Sequence, residues 1–130
     1  VAGLAPAAVV YEDDDVLSFL DIFPSSPGHT LVIVKPHYEN LFEAPAAPLQ
    51  AVMAASRRIG LALRRELQPE GLMVAQLNGA AAGQTVFHYH MHLLPRRAGD
   101  PLLLHGRQRA TDDELGALAS RLRARLAEID

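Results

Sequence analysis

Apolar and polar positions change period along the chain, and each change marks an element. Residues 7–22, AAVVYEDDDVLSFLDI, hold two short apolar stretches joined by the acidic turn Glu12 to Asp15, which predicts a β-hairpin. FPSSPGH at 23–29 is a loop of two prolines, two serines and a glycine. TLVIVK at 30–35 is a continuous apolar run stopped by Pro36, the pattern of a buried strand. From Pro48 to Leu67 the period becomes helical: Leu49, Val52, Met53, Ser56, Ile59, Leu63 and Leu67 fall on one stripe. GLMVAQL at 71–77 predicts another strand, and NGAAAGQT at 78–85 a loop. TDDE from Thr111 is a capping-box pattern opening a second helix, with Asp112 and Asp113 in its first turn and Leu115, Leu118, Leu122, Leu126 and Ile129 as its stripe. RRAGDPLLLHGRQRA at 96–110 shows no period, and Arg96 and Arg97 read as solvated charges at a strand end. Antiparallel strands with two helices predict an α+β fold. With no internal repeat and no linker, residues 1–130 are expected to form one domain, with the C-terminal helix from about residue 111.

Residues 88–95, HYHMHLLP, carry three of the chain's six histidines at two-residue spacing. On a strand, His88, His90 and His92 share one face and Tyr89, Met91 and Leu93 the other; on a helix the cluster would disperse. Pro95 removes a backbone donor and suits a strand end.

Composition narrows the choices. A hydrophobic fraction of 49% and a charged fraction of 21% are those of an ordinary globular protein. The formal charge of −3 gives no sign of a nucleic-acid surface. With no cysteine there is neither a disulfide framework nor thiol chemistry in this chain. No apolar run approaches the ~20 residues that span a bilayer, and no signal peptide is visible. A cytoplasmic protein without a membrane partner is expected. The chain opens on Val1 rather than methionine, which leaves open whether a segment precedes it.

The histidine row admits three chemistries. It can be a hydrogen-bonded strand face. It can bind a metal, since imidazole is a common zinc ligand, although three side chains at i, i+2 and i+4 spread over ~13 Å of strand and one ion could hardly reach all of them. Or one imidazole is a nucleophile towards phosphorus and the others support it. That last chemistry needs a phosphate cradle, and NGAAAGQT feeds directly into His88. Gly79 and Gly83 permit backbone N–H groups to point at an anion, and Gln84 and Thr85 add neutral donors. No Gly-Lys-Ser/Thr follows, so it is not a Walker loop.

GQTVFHYHMHLLPR, residues 83–96, resembles the signature of the histidine triad family of nucleotide hydrolases and transferases, His-φ-His-φ-His-φ-φ with φ apolar. The likeness extends to VYEDDDVLSFLDIFPSSPGHTLVIVKPH at 10–37 and is greatest to the bacterial phosphoramidase-like branch. The resemblance implies a five-stranded antiparallel sheet with helices, pairing as a dimer into one continuous sheet. It implies that His90 attacks the α-phosphorus and is transiently nucleotidylated, with a backbone carbonyl holding its other ring nitrogen. His88 and His92 would orient the site and contact phosphate or leaving group, and His29 would complete the polar wall. Gln84 and Thr85 match positions contacting phosphate and leaving group. Asp21 matches a carboxylate on the ribose hydroxyls, with Phe19 and Ile22 beside the purine. Asp21 could equally cap its loop, and Phe19 and Ile22 could be ordinary core.

Two departures from the family pattern stand out. Leu77 occupies a position that is commonly asparagine, so that polar contact is lost or passes to Asn78. Many relatives bind zinc through Cys-x-x-Cys and two histidines at the positions of His37 and His88. This chain has no cysteine, so the resemblance implies zinc only if residues before Val1 supply them, and the mechanism itself requires no cofactor. The activity expected is hydrolysis of purine nucleoside phosphoramidates through nucleotidyl-His90. The alternatives are dinucleoside polyphosphate hydrolysis, a nucleotide-binding module with negligible turnover, and a metal-binding histidine site. A homodimer is expected through the helix from Pro48 to Leu67, whose Ala51, Ala54, Ala55 and Ala62 flank its stripe, and the strand GLMVAQL.

Overall fold

The structure, a computed structural model, describes residues 8–101 and 103–129. Ala7, at the head of the expected hairpin, lies outside them, as do the other ends of the expected domain. Strands β1 (Val9–Glu12) and β2 (Val16–Leu20) form the hairpin. The acidic turn has a definite geometry: Asp13 Oδ1 accepts from the Asp15 and Val16 N–H groups, each at 2.8 Å. This is the side-chain mimic of a backbone turn that favours aspartate there.

Strand β3 (Thr30–Val34), helix α1 (Ala46–Leu67), strand β4 (Gly71–Ala75), strand β5 (His90–Arg96) and helix α2 (Asp112–Leu126) complete the order. The sheet is ordered β1-β2-β3-β5-β4, and every neighbouring pair is antiparallel. This is the five-stranded α+β architecture expected from the sequence.

Both helices cover one face of the sheet. Val10, Val16, Leu20, Val32, Val34, Met91 and Leu93 meet Val52, Ile59 and Leu63 of α1 and Leu115, Leu122 and Leu126 of α2. Each large aliphatic chain fully buried here contributes about 1.5–3 kcal/mol. The opposite face carries Leu17, Phe19 and Ile33, packed with Val9 and Leu31. The register places Ile33 against His90 and Leu31 against His92, so those histidines lie on the face away from the helices. A one-residue slip would drive them into the helix-side core, and that core therefore holds the site in register.

Several boundaries differ from expectation. Helix α1 begins at Ala46 rather than Pro48, because proline is tolerated in a first turn whose N–H groups have no intrahelical partner. Its C-terminus closes on Gln68, a left-handed residue at φ 49°, followed by Pro69. Strand β4 ends at Ala75. Strand β5 starts at His90, two residues late, and runs through Pro95 to Arg96, with Pro95 opposite Leu72. Helix α2 starts as expected, the Thr111 hydroxyl accepting from Glu114 N–H at 3.1 Å.

The two arginines after the triad are not idle strand-end charges. Arg96 is buried and donates to Leu103 O, and Arg97 donates to Leu67 O and Gln68 O, closing the C-terminal carbonyls of α1. Of the four alanines expected at a dimer contact, Ala55 and Ala62 are buried in this chain's own core and Ala51 packs against it. Ala54 stays exposed, and the larger exposed apolar side chains beside the free edge of β4 are Met53, Leu72 and Val74. Among the described residues no helix is long and apolar enough to cross a membrane.

Candidate active site

His90 and His92 project from β5 with ring centroids 4.9 Å apart. Their hydrogen bonds assign the protons. His90 Nδ1 lies 2.7 Å from the carbonyl oxygen of His88, so it must carry the hydrogen, and Nε2 is left with a lone pair. His92 has the opposite tautomer, reached through a relay. Ser25 N–H donates to His29 Nδ1 at 3.0 Å, so the neutral His29 ring holds its proton on Nε2. That nitrogen lies 3.0 Å from His92 Nδ1 and donates to it. The remaining hydrogen of His92 is therefore on Nε2, which is buried and has no partner among the described residues. Side by side stand an imidazole lone pair and an imidazole N–H.

Burial keeps the rings neutral. It pushes His29 down to about 4, with the Asp21 carboxylate 3.7 Å away only partly opposing it. It pushes His92 down to about 3, the neighbouring His90 and His29 adding to the effect. His90 is also lowered, by burial first, against the raising effect of the His88 carbonyl. At neutral pH the His90 lone pair is free to attack.

His88 behaves differently from the row expected of it. It precedes the strand, and its ring is fully engaged: Nε2 donates to Val34 O at 2.5 Å, and Nδ1 lies 3.0 Å from His37 Nδ1. Neither nitrogen is free for a phosphate, so His88 supports the site through its backbone carbonyl.

The loop before the strand contains a short 3₁₀ turn, Ala80–Ala82, bounded by Gly79 at φ 90° and Gly83 at φ 101°, backbone that favours glycine. Gln84 is buried, and its amide is spent on the backbone. Oε1 accepts from Gly79 N–H at 2.7 Å, while Nε2 donates to Glu39 O at 2.7 Å and Val86 O at 3.1 Å. The expectation that Gln84 offers a donor to phosphate is corrected: it latches the loop shut. Asn78 is similarly committed, pairing with the Gln76 amide in both directions at 2.8 Å and accepting from Leu41 N–H at 2.8 Å. It therefore does not replace the polar group missing at Leu77. Thr85 is exposed.

Phe19 is buried on the histidine face, whereas Ile22 packs against the helix-side core. Asp21 uses Oδ1 to accept from Phe23 N–H at 2.8 Å, the loop cap, and turns Oδ2 towards His29.

Asp21, His29 and His92 bring one ligand atom each within 4.8 Å of one another. A metal there meets a difficulty, because His29 Nδ1 already accepts the Ser25 N–H and Nε2 would have to bind the ion as an imidazolate. His37 and His88 stand as two ligands of a zinc would, but among the described residues no third histidine, aspartate, glutamate or cysteine joins them.

Three contributors escaped the sequence. Ser25 sets the relay; Arg96, buried, joins Leu103 O to Ser25 Oγ; and His105 places its ring 6.0 Å from that of His92. His105 lay in the segment without a period. Its only signal was its residue type.

The chain matches the model of the HIT domain over residues 2–99. It is 49% identical over 96 residues to the protein hit of Bacillus subtilis, covering 74% of this chain and 66% of that one. It is 38% identical over 102 residues to the adenylylsulfatase HINT3 of Arabidopsis thaliana, covering 78% of this chain and 52% of that one. The fold is similar to that of a zinc-bound histidine triad family protein from Mycobacterium smegmatis, at a TM-score of 0.81 and 40% identity, covering 97% of this chain and 88% of that one.

Proposed function

Because the chain belongs to the HIT-domain family of nucleotide hydrolases and transferases, we propose that it cleaves purine nucleoside phosphoramidates, or related nucleoside monophosphate conjugates, through a nucleotidyl-His90 intermediate. One observation carries this reading: His90 holds its proton against the His88 carbonyl and keeps Nε2 bare, while His92 beside it presents Nε2–H. His90 Nε2 forms a bond to the α-phosphorus as the bond from phosphorus to the leaving amine breaks, and the amine nitrogen takes a proton from water as it departs. Water then attacks the phosphorus, the bond to His90 breaks, and the nucleoside monophosphate leaves. His92 Nε2–H and those amides of the loop 78–85 that are not already donated within it, as those of Gly79, Ala82, Gly83 and Gln84 are, stabilise the charge that develops on the phosphoryl oxygens. Thr85, exposed beside that loop, is positioned in sequence to assist the leaving group. Phe19, buried on the histidine face, forms part of the floor beneath the base, and Asp21 Oδ2 accepts from ribose hydroxyls. Residues 1–130 act as one histidine triad domain in this proposal.

The choice of a short substrate rests on charge. Residues 78–85 contain no lysine or arginine. Arg96 and Arg97 are committed to backbone carbonyls, so neither reaches out to a polyphosphate chain. The relative named adenylylsulfatase adds adenylyl sulfate to the candidates, since it too joins one nucleoside monophosphate to a leaving group. Steady-state kinetics on one preparation test this. Adenosine 5′-phosphoramidate is expected to give a higher kcat/KM than diadenosine tri- or tetraphosphate. A tenfold preference for the dinucleotides would favour polyphosphate hydrolysis, and no turnover of any of them would favour a binding module.

The proposal includes a homodimer. Strand β4 has a partner on one side only, and Met53, Leu72 and Val74 beside it are exposed. A second copy across the two-fold would pair the two β4 edges and cover that surface.

A further inference from the structure

Between His90 and His92 the site presents only neutral donors. His29, His90 and His92 are held uncharged by burial, Asp21 adds a carboxylate, and the loop 78–85 has no cation. A phosphoryl group arriving there would need another donor, and the segment after β5 brings one.

That segment is docked rather than loose. Gly106 N–H donates to Phe23 O at 3.1 Å, and Ala110 N–H donates to Ile22 O at 2.9 Å. A Cβ at Gly106 would collide with the Pro24 carbonyl, so the close approach requires glycine. Leu103 O receives both Arg96 and Ser25 Oγ. These ties hold residues 103–110 across the loop that carries Asp21 and Ser25. They set the His105 ring edge-on to His92, with centroids 6.0 Å apart and planes at 83°. His105 is exposed, and no hydrogen bond among the described residues engages its ring.

We propose that His105 is a further substrate-contacting residue: it donates an N–H to a non-bridging oxygen of the α-phosphate seated between His90 and His92. The contact rests on the nucleotide-hydrolase reading above. It lies on the nucleoside side of the phosphate, because the strap that carries His105 is tied to the Asp21–Ser25 loop rather than to residues 78–85. His105 therefore serves whatever leaving group is attached.

The test compares wild type with His105→Ala and His105→Gln. AMP affinity is read by calorimetry, and KM and kcat are read on adenosine 5′-phosphoramidate and on adenylyl sulfate. Loss of one hydrogen bond to an anion should weaken AMP binding about tenfold in His105→Ala. KM should rise by the same factor for both substrates, and His105→Gln, which keeps a donor, should recover part of it. Thermal melting of His105→Ala should match wild type, since the ring is exposed. Unchanged AMP affinity in His105→Ala, or a KM change confined to one substrate, overturns the contact while leaving the hydrolase reading intact. A wild-type protein that neither binds AMP nor turns over these substrates overturns both.

Discussion

Replacing His29 with phenylalanine isolates the relay that orients His92. The ring fills a closely similar space in a site where His29 is 1% exposed, so packing is largely kept. Two hydrogen bonds vanish, from Ser25 N–H and to His92 Nδ1, each at 3.0 Å. Both surviving partners are then poorly satisfied, at about 1–3 kcal/mol each, and loss of the desolvated imidazole offsets part of that. The larger effect falls on catalysis. Without the His29 proton, His92 Nδ1 loses the donor that faced its lone pair, and the Nε2–H aimed at the phosphoryl oxygens is lost. Removing one preorganised donor of this kind typically costs ~10²–10³ in kcat, about 2.7–4 kcal/mol. We expect His29→Phe to lower kcat by about 10²-fold. Nitrogen-15 NMR of labelled histidine should show His92 shifting from the Nε2–H to the Nδ1–H form. A variant that keeps kcat within threefold, or in which His92 stays Nε2–H, would refute the relay.

Further outcomes follow from the same contacts. The imidazoles lowered by burial bind protons more readily in the unfolded chain, so stability is full above pH 6.5 and falls as pH drops towards about 3; in thermal melts from pH 7.5 to 4.0, His92→Phe should flatten this decline, and an equal decline in both proteins would contradict it. Gln84→Ala strands the Gly79 N–H and the Glu39 and Val86 carbonyls, with a cost of about 1–3 kcal/mol in urea unfolding and a higher KM; unchanged values would show that the latch is dispensable. Val74→Asp introduces facing carboxylates at the proposed two-fold and should give a monomeric mass in light scattering at micromolar concentration, where wild type should be dimeric. A wild-type monomer would remove the dimer from the account.

How far the sequence could be read depended on whether a residue acts through its periodicity or through a partner. The apolar runs of β2 and β3, the two-residue spacing of the histidines in β5 and the helical stripe of α1 reflect strand and helix packing, so fold class, element order and the shared face of His90 and His92 were legible. Strand ends were not, because Pro95 still lies opposite Leu72 in the sheet and His88 leaves it to bond Val34 O. Gln84 and Asn78 were misread because an amide in a glycine loop serves an anion or the backbone equally well until its partners are known. Residues 96–110 carried no period because backbone bonds to Phe23 and Ile22, and Arg96 to Leu103 O, hold them. Such bonds leave no mark on the hydrophobic pattern, and His105 was lost with them.

Nucleotidylation of His90 is the central claim, and trapping it is the most direct test. The protein would be mixed with adenosine 5′-phosphoramidate, quenched within milliseconds under alkaline conditions that preserve a phosphoimidazole bond, digested and mapped by mass spectrometry. The account predicts an adenylyl group on His90, a burst of leaving group equivalent to enzyme, and neither in His90→Ala, which still binds AMP. Adenylyl found on His88, His92 or His105, or full turnover by His90→Ala, would contradict it.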